Sequence, residues 1–211
     1  MSGTTDTEGR ILDAAVQLFA QQGFSGTTTR EIARLADVNE TSLFRYFPRK
    51  LELFWAAVES QMKRLRVRKE LQRGLSEGED PEQVLPLVAE LLVHTALYQP
   101  ELIRLLYVGF LELRPGAEEV YRQHFAPIIA SICDYIRSCG ESGVLRPVDP
   151  YIAAIAFTTG VLAHQGLYPL LGGAHTPYAN TEEAVLAYSS FWLEALRPRK
   201  VISNQLSVIS Q

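Results

Sequence analysis

Residues 28–46 carry the strongest constraint on this chain, because their caps define two short helices separated by a tight break. Thr28-Thr29-Arg30-Glu31 is a T-x-x-E capping box, in which the Thr28 hydroxyl accepts from an orphan backbone amide and Glu31 reaches back to the cap. A helix therefore begins there and runs to about Ala36. Asp37-Val38-Asn39 interrupts it, and Asn39 is a good N-cap for a second helix, Glu40 to Tyr46, whose Leu43 and the following Phe47 point inward. Pro48 ends that helix. Upstream, Ile11, Leu12, Ala15, Leu18 and Phe19 recur at helical spacing, and Gly23-Phe24 supplies a C′ glycine with an apolar residue to fold back on the last turn. Ala33 is small where the two short helices must cross, and Glu40-Thr41-Ser42 offers a polar exposed face. The pattern predicts a helix-turn-helix able to enter a DNA major groove.

The rest of the chain reads as helix alone. From Arg49 a long helix is expected, with Leu51, Phe54, Trp55, Val58, Met62 and Leu65 forming one apolar stripe until Gly74. Its far end bears Lys63, Arg64, Arg66, Arg68 and Lys69, cations that complement a helix C-terminus and solvate its face. Ser76 to Pro81 is a polar hinge, so a module boundary falls in or before this fourth helix. Val84–Tyr98 and Leu102–Leu113 are apolar on most faces, the mark of helices surrounded by protein. Ala117–Ser138 is amphipathic, and Tyr151–Leu167 and Glu182–Leu196 read as the last two helices. No run alternates at period two for long enough to form a sheet. The expected fold is all-α: a three-helix head (1–50), a helical body (51–198) joined to it through helix four, and about nine helices in total. The tail (199–211), which repeats Val-Ile-Ser, has no turn and no core to join and is expected to be disordered.

Charge is segregated along the chain. Residues 1–73 hold twelve Lys and Arg against nine Asp and Glu, whereas the remaining 138 hold eight against fifteen. Only the first third suits phosphates. Met1 to Gly9 is polar and acidic, lacking the charged-then-apolar pattern of a secretory leader, and a cytoplasmic location is expected. Pro150–Thr181 contains no Asp, Glu, Lys or Arg, but Thr158, Thr159, His164, Gln165, Pro169 and two glycines interrupt it; a buried or subunit-facing helix and a loop fit better than a membrane span. Cys133 and Cys139 lie about 240° apart around a helix, too divergent to bridge, and read as buried free thiols. His and Cys show no metal-ligand spacing, and neither a metal nor a cofactor is expected.

The set Ile11-Leu12-Asp13-Ala14-Ala15, Leu18-Phe19, Gly23-Phe24, Thr28-Thr29, Glu31-Ile32-Ala33, Leu43-Phe44-Arg45-Tyr46-Phe47, Lys50 and Leu53 closely resembles the tetracycline-repressor (TetR) family over residues 8–58. The pattern is specific because it fixes caps, turn, core and phosphate-facing groups together. The resemblance implies a ligand-responsive regulator of transcription, a repressor released from a pseudo-palindromic operator by a small hydrophobic or aromatic effector. It further implies a homodimer built on the last two helices. Arg30, Glu40 and Thr41 match base-facing positions; Thr29, Ser42, Tyr46 and Lys50 match phosphate contacts; Arg45 fits either set, and Thr28 and Phe44 are expected among the DNA-binding residues as well. Chemistry agrees with this division, since the Arg30 fork fits guanine O6 and N7 while hydroxyls and a lone ammonium suit phosphate oxygens. The chain departs from the family at two positions: Asp37 stands where the turn usually has Gly, and Phe44 where Tyr is frequent. Asp tolerates the left-handed conformation, and Phe44 packs on sugar or a thymine methyl in place of donating to phosphate.

For the body, the resemblance implies an effector pocket. Candidate pocket groups are polar side chains stranded on apolar helices: His94 with Tyr98 one turn later, Tyr107, His124, His164 and Tyr168. Ala153, Ala154, Ala156 and Gly160 permit close helix packing at a dimer face, with Phe191 and Trp192 as anchors. The alternatives are an enzyme, for which no nucleophile elbow, phosphate loop, HExxH or paired-Cys motif is present, and an interaction module that has lost specific DNA binding.

Overall fold

A computed structural model describes residues 3–64, 73–75, 80–164 and 181–198; Tyr168 and the tail 199–211 lie outside the described residues. The architecture among them is helical throughout, with ten α-helices and one π turn: α1 Gly3–Gly26, α2 Thr29–Leu35, α3 Glu40–Tyr46, α4 Lys50–Arg64, α5 Pro81–Tyr98, α6 Pro100–Glu112, α7 Arg114–Val120, the π turn Tyr121–Phe125, α8 Ala126–Glu141, α9 Pro150–Leu162 and α10 Thr181–Leu196. Helix starts follow from sequence chemistry. Proline occupies the first or second position of α5, α6, α7, α8 and α9, where its missing N–H costs nothing. Asp80 and Asp149 cap α5 and α9 by accepting from the amides of Glu82 and Ile152. The single amphipathic helix expected over 117–138 is divided by the π turn, and Gly23 (φ 73°) breaks α1 one turn before its end.

Two apolar cores organise the molecule. One belongs to the body and is built from α5, α8, α9 and α10, with Val84, Ile132, Ala154 and Phe157 at its centre. The other holds Ile11, Phe19, Ile32 and Leu43 of the head together with Leu53, Phe54, Ala57 and Val58 of α4 and Leu102, Leu105 and Leu106 of α6. The head thus shares its core with α4 and one face of α6. Ring packing continues this layer: Phe19, Phe24 and Phe54 lie 5.2–5.8 Å apart, and Phe54 meets Trp55 edge-on at 5.1 Å. Gly116 lets the α7 backbone lie directly on the Trp55 indole, for a Cβ there would stand 2.4 Å from Nε1.

Ala153 and Ala154 are buried inside the subunit, so the face expected to pack another helix is carried by Ala156 and Gly160, which are exposed. Cys133 and Cys139 are buried free thiols as expected. No helix among the described residues is long and apolar enough to cross a membrane.

Candidate functional site

The head presents its polar surface because its caps and turn form as the sequence requires. Glu31 N–H donates to Thr28 Oγ1 at 3.2 Å, and Thr28 N–H donates back to Glu31 Oε2 at 2.9 Å. The Thr28 hydroxyl, donating to Glu31 Oε2 at 2.7 Å, and then the Thr28 amide hold the Glu31 carboxyl below its usual pKa, at a helix N-terminus that also favours the anion. Asn39 Oδ1 accepts from Ser42 N–H at 2.7 Å and starts α3. Between the helices Asp37 sits at φ 54°, the left-handed conformation that a glycine would otherwise supply. Arg10 braces the turn from α1, its Nη1 donating to the Ala36 carbonyl at 2.8 Å. That contact places a cation at the C-terminal end of α2, where orphan carbonyls and the helix dipole attract it.

Arg30, Thr41, Phe44 and Arg45 are exposed on one side of this scaffold, with Thr28 at its edge. Arg30 and Glu40 line a shallow concavity between α2 and α3 together with Arg34 and Asn39. Tyr46 is half-buried against the head core, and Ser42 is half-buried at the start of α3. Thr29 Oγ1 donates to Glu40 Oε1 at 2.6 Å, so a residue expected on phosphate and one expected on a base are bonded to each other across the two helices. Lys50 Nζ stands 4.4 Å above the Phe24 ring, and burial holds its ammonium below the usual value while Glu31 opposes that shift.

The body encloses a cavity of about 100 Å³ at the junction of the two cores. Met62 of α4 forms one wall; Val88, Leu91, Leu92 and Thr95 of α5, Leu102, Ile103 and Leu106 of α6, Ile128, Ile129 and Ile132 of α8, and Thr158 and Leu162 of α9 form the others. His124 and Phe125 enter from the π turn. His124 Nε2 lies 2.6 Å from Glu59 Oε2 of α4. A cavity-lining imidazole is thereby bonded to the helix that carries the head.

Of the effector candidates, His124 alone among the described residues reaches this cavity. His94 and Tyr98 are exposed and pack on each other, ring centroids 4.5 Å apart, on the outer face of α5. They fail to line the cavity because the adjoining face of α5, bearing Val88, Leu91, Leu92 and Thr95, is the one turned inward. Tyr107 is half-buried, which raises its phenol above the ordinary value, but it too lies off the cavity. His164, two residues past the end of α9, is bonded to Tyr188 of α10. Sequence reasoning missed Arg10 and Glu59: their partners lie 26 and 65 residues away, beyond any local pattern. It also missed Thr27, which is buried and donates to the Gly23 carbonyl at 2.8 Å, a tie that the Gly-x-x-x-Thr spacing permits without announcing it.

Comparison with known proteins converges on this geometry. The model for bacterial regulatory proteins of the tetR family matches residues 11–57. An HTH-type transcriptional repressor of Streptomyces coelicolor is 32% identical over 149 residues, covering 68% of this chain and 70% of that one. Among solved structures, the flavonoid-responsive regulator FrrA is 25% identical, covers 93% of this chain and all of its own, and superposes with a TM-score of 0.62. The fatty acid degradation regulator FadR from Bacillus halodurans shares the fold at a TM-score of 0.71 over 94% of this chain and all of its own, with 18% identity. With the capped helix pair, the left-handed turn at Asp37 and the helical body in place, the chain belongs to the tetR family of bacterial regulatory proteins and is a helix-turn-helix transcriptional regulator.

Proposed function

We propose that the protein is a homodimeric, cytoplasmic repressor that leaves a pseudo-palindromic operator when a small apolar effector fills the cavity beside α4. The observation that carries this reading is the His124–Glu59 bond, because it ties a cavity wall to the helix on which the head is built. In the free protein this bond and the packing of Met62 fix where α4 sits relative to the body. An effector that displaces either changes the separation of the two heads of a dimer, which must read half-sites about 34–36 Å apart. A tenfold release requires about 1.4 kcal/mol of differential affinity, which a few cavity contacts supply. The name of FrrA, a flavonoid-responsive relative in structure, supports an aromatic effector.

On the DNA side, Arg30 specifies bases and Lys50 holds phosphate, with Thr41 and Arg45 on the same exposed surface. Thr29 and Glu40 are occupied with each other in the free head, and their part in DNA contact requires exchanging that bond for a phosphate or a cytosine amino group. The dimer face is the outer side of α9 and α10, where Tyr151, Ile152, Leu186 and Phe191 are each more than half exposed. The protein acts by binding and not by turnover.

Fluorescence anisotropy tests the proposal. Duplexes from the region upstream of its own gene are expected to bind more tightly than scrambled duplexes, with an affinity that falls steeply with salt. Equal affinity for both duplexes sinks specific regulation. An effector recovered chemically altered sinks the non-enzymatic reading.

A further inference from the structure

Among the described lining residues, the polar side chains are left with acceptors once their own hydrogen bonds are counted. Thr95 Oγ1 donates its only proton to the Leu91 carbonyl at 2.7 Å, and Thr158 Oγ1 donates to Ala154 at 2.8 Å, so each hydroxyl has lone pairs left to offer. The Glu59 carboxylate can only accept, so it fixes the proton of His124 on Nε2; in the neutral ring Nδ1 is then an acceptor. The remaining lining side chains among the described residues are apolar, and none of those is Lys or Arg. Such a wall satisfies a hydrogen-bond donor three ways and leaves an anion without a partner.

We infer that the cavity selects a ring-sized apolar molecule whose polar end is a neutral hydrogen-bond donor, a phenol-type hydroxyl donating to His124 Nδ1, and that it rejects carboxylates. The inference rests on the reading of this cavity as the effector site. Size admits nothing larger than a single ring, since an apolar cavity of about 150 Å³ takes benzene and this one measures about 100 Å³. A carboxylate would surrender its hydration and meet only lone pairs, a cost of several kcal/mol. A cation fares less well than a neutral donor, because the Glu59 charge is already answered by Lys63 Nζ at 3.5 Å. The phenol gains the bond its ether lacks, and Phe125 supplies an aromatic wall for the ring.

Isothermal titration calorimetry on the full-length protein at neutral pH, with phenol, anisole and benzoate, tests this. The phenol is expected to bind about tenfold more tightly than the anisole, and the benzoate to bind more weakly than either. His124→Phe removes the acceptor assigned to the hydroxyl and is expected to reduce the phenol-over-anisole preference, Thr95 and Thr158 remaining as acceptors, so an undiminished preference overturns the assignment to His124; should that variant fail to fold, His124→Leu replaces it. Glu59→Gln keeps an oxygen to accept from Nε2 and is expected to keep the preference. An anisole or benzoate that binds the unaltered protein as tightly as the phenol overturns the donor inference and leaves the cavity as the effector site. Failure of all three probes to bind, with no shift in melting temperature, overturns both.

Discussion

The DNA contacts proposed for Arg30 and Lys50 differ in kind, and their substitutions should differ accordingly. Arg30 is exposed beside the α2–α3 concavity and bears the planar fork suited to guanine, so Arg30→Ala should relax discrimination between operator variants. Lys50 is a point charge resting on the Phe24 ring, so Lys50→Ala should weaken all duplexes alike and lower the slope of log affinity against log salt by about one. Anisotropy titrations at several salt concentrations separate the two, and a uniform loss for Arg30→Ala refutes its role in specificity. A second prediction concerns packing. Gly116 has φ 99° and its backbone rests on Trp55, so Gly116→Ala meets both an unfavourable backbone conformation and a ring with nowhere to go. Urea denaturation should show a loss of about 1–3 kcal/mol; a variant as stable as the parent contradicts this close approach.

The helix pair of the head was legible at the level of elements because its determinants are local. Thr28 and Glu31 lie three residues apart, as do Asn39 and Ser42, and the left-handed turn falls on a residue type that accepts it. The same locality makes the turn testable. Asp37→Val forces a β-branched side chain into φ 54° and should cost about 1–2 kcal/mol, whereas Asp37→Gly should be nearly neutral in thermal unfolding. If both variants unfold alike, backbone conformation is not what Asp37 contributes. The body was less legible. Helices apolar on several sides give no periodicity from which to read an inward face, which is why His94 and Tyr98 pointed outward while Thr95, between them, lines the cavity. The Glu59–His124 pair joins a residue of the π turn to one 65 residues away, and neither the turn nor the pairing leaves a mark in the order of residues.

At the scale of the molecule, the exposed apolar side of α9 and α10 predicts self-association. Phe191 is 67% exposed, and Phe191→Asp should convert the dimer to monomer in sedimentation without unfolding the subunit, and should weaken operator binding more than binding to an isolated half-site. A variant that stays dimeric moves the interface elsewhere. Within the subunit, the head core is completed by α4 and by Leu102, Leu105 and Leu106 of α6, two of which also line the cavity. Reader and receptor are therefore stitched by one apolar seam, and opening the head means unzipping a wall of the receptor. An occupant that braces that wall should slow hydrogen exchange of the α1 amides, although it touches no residue of α1. In this protein, melting of the reading head becomes a gauge of what the body has caught.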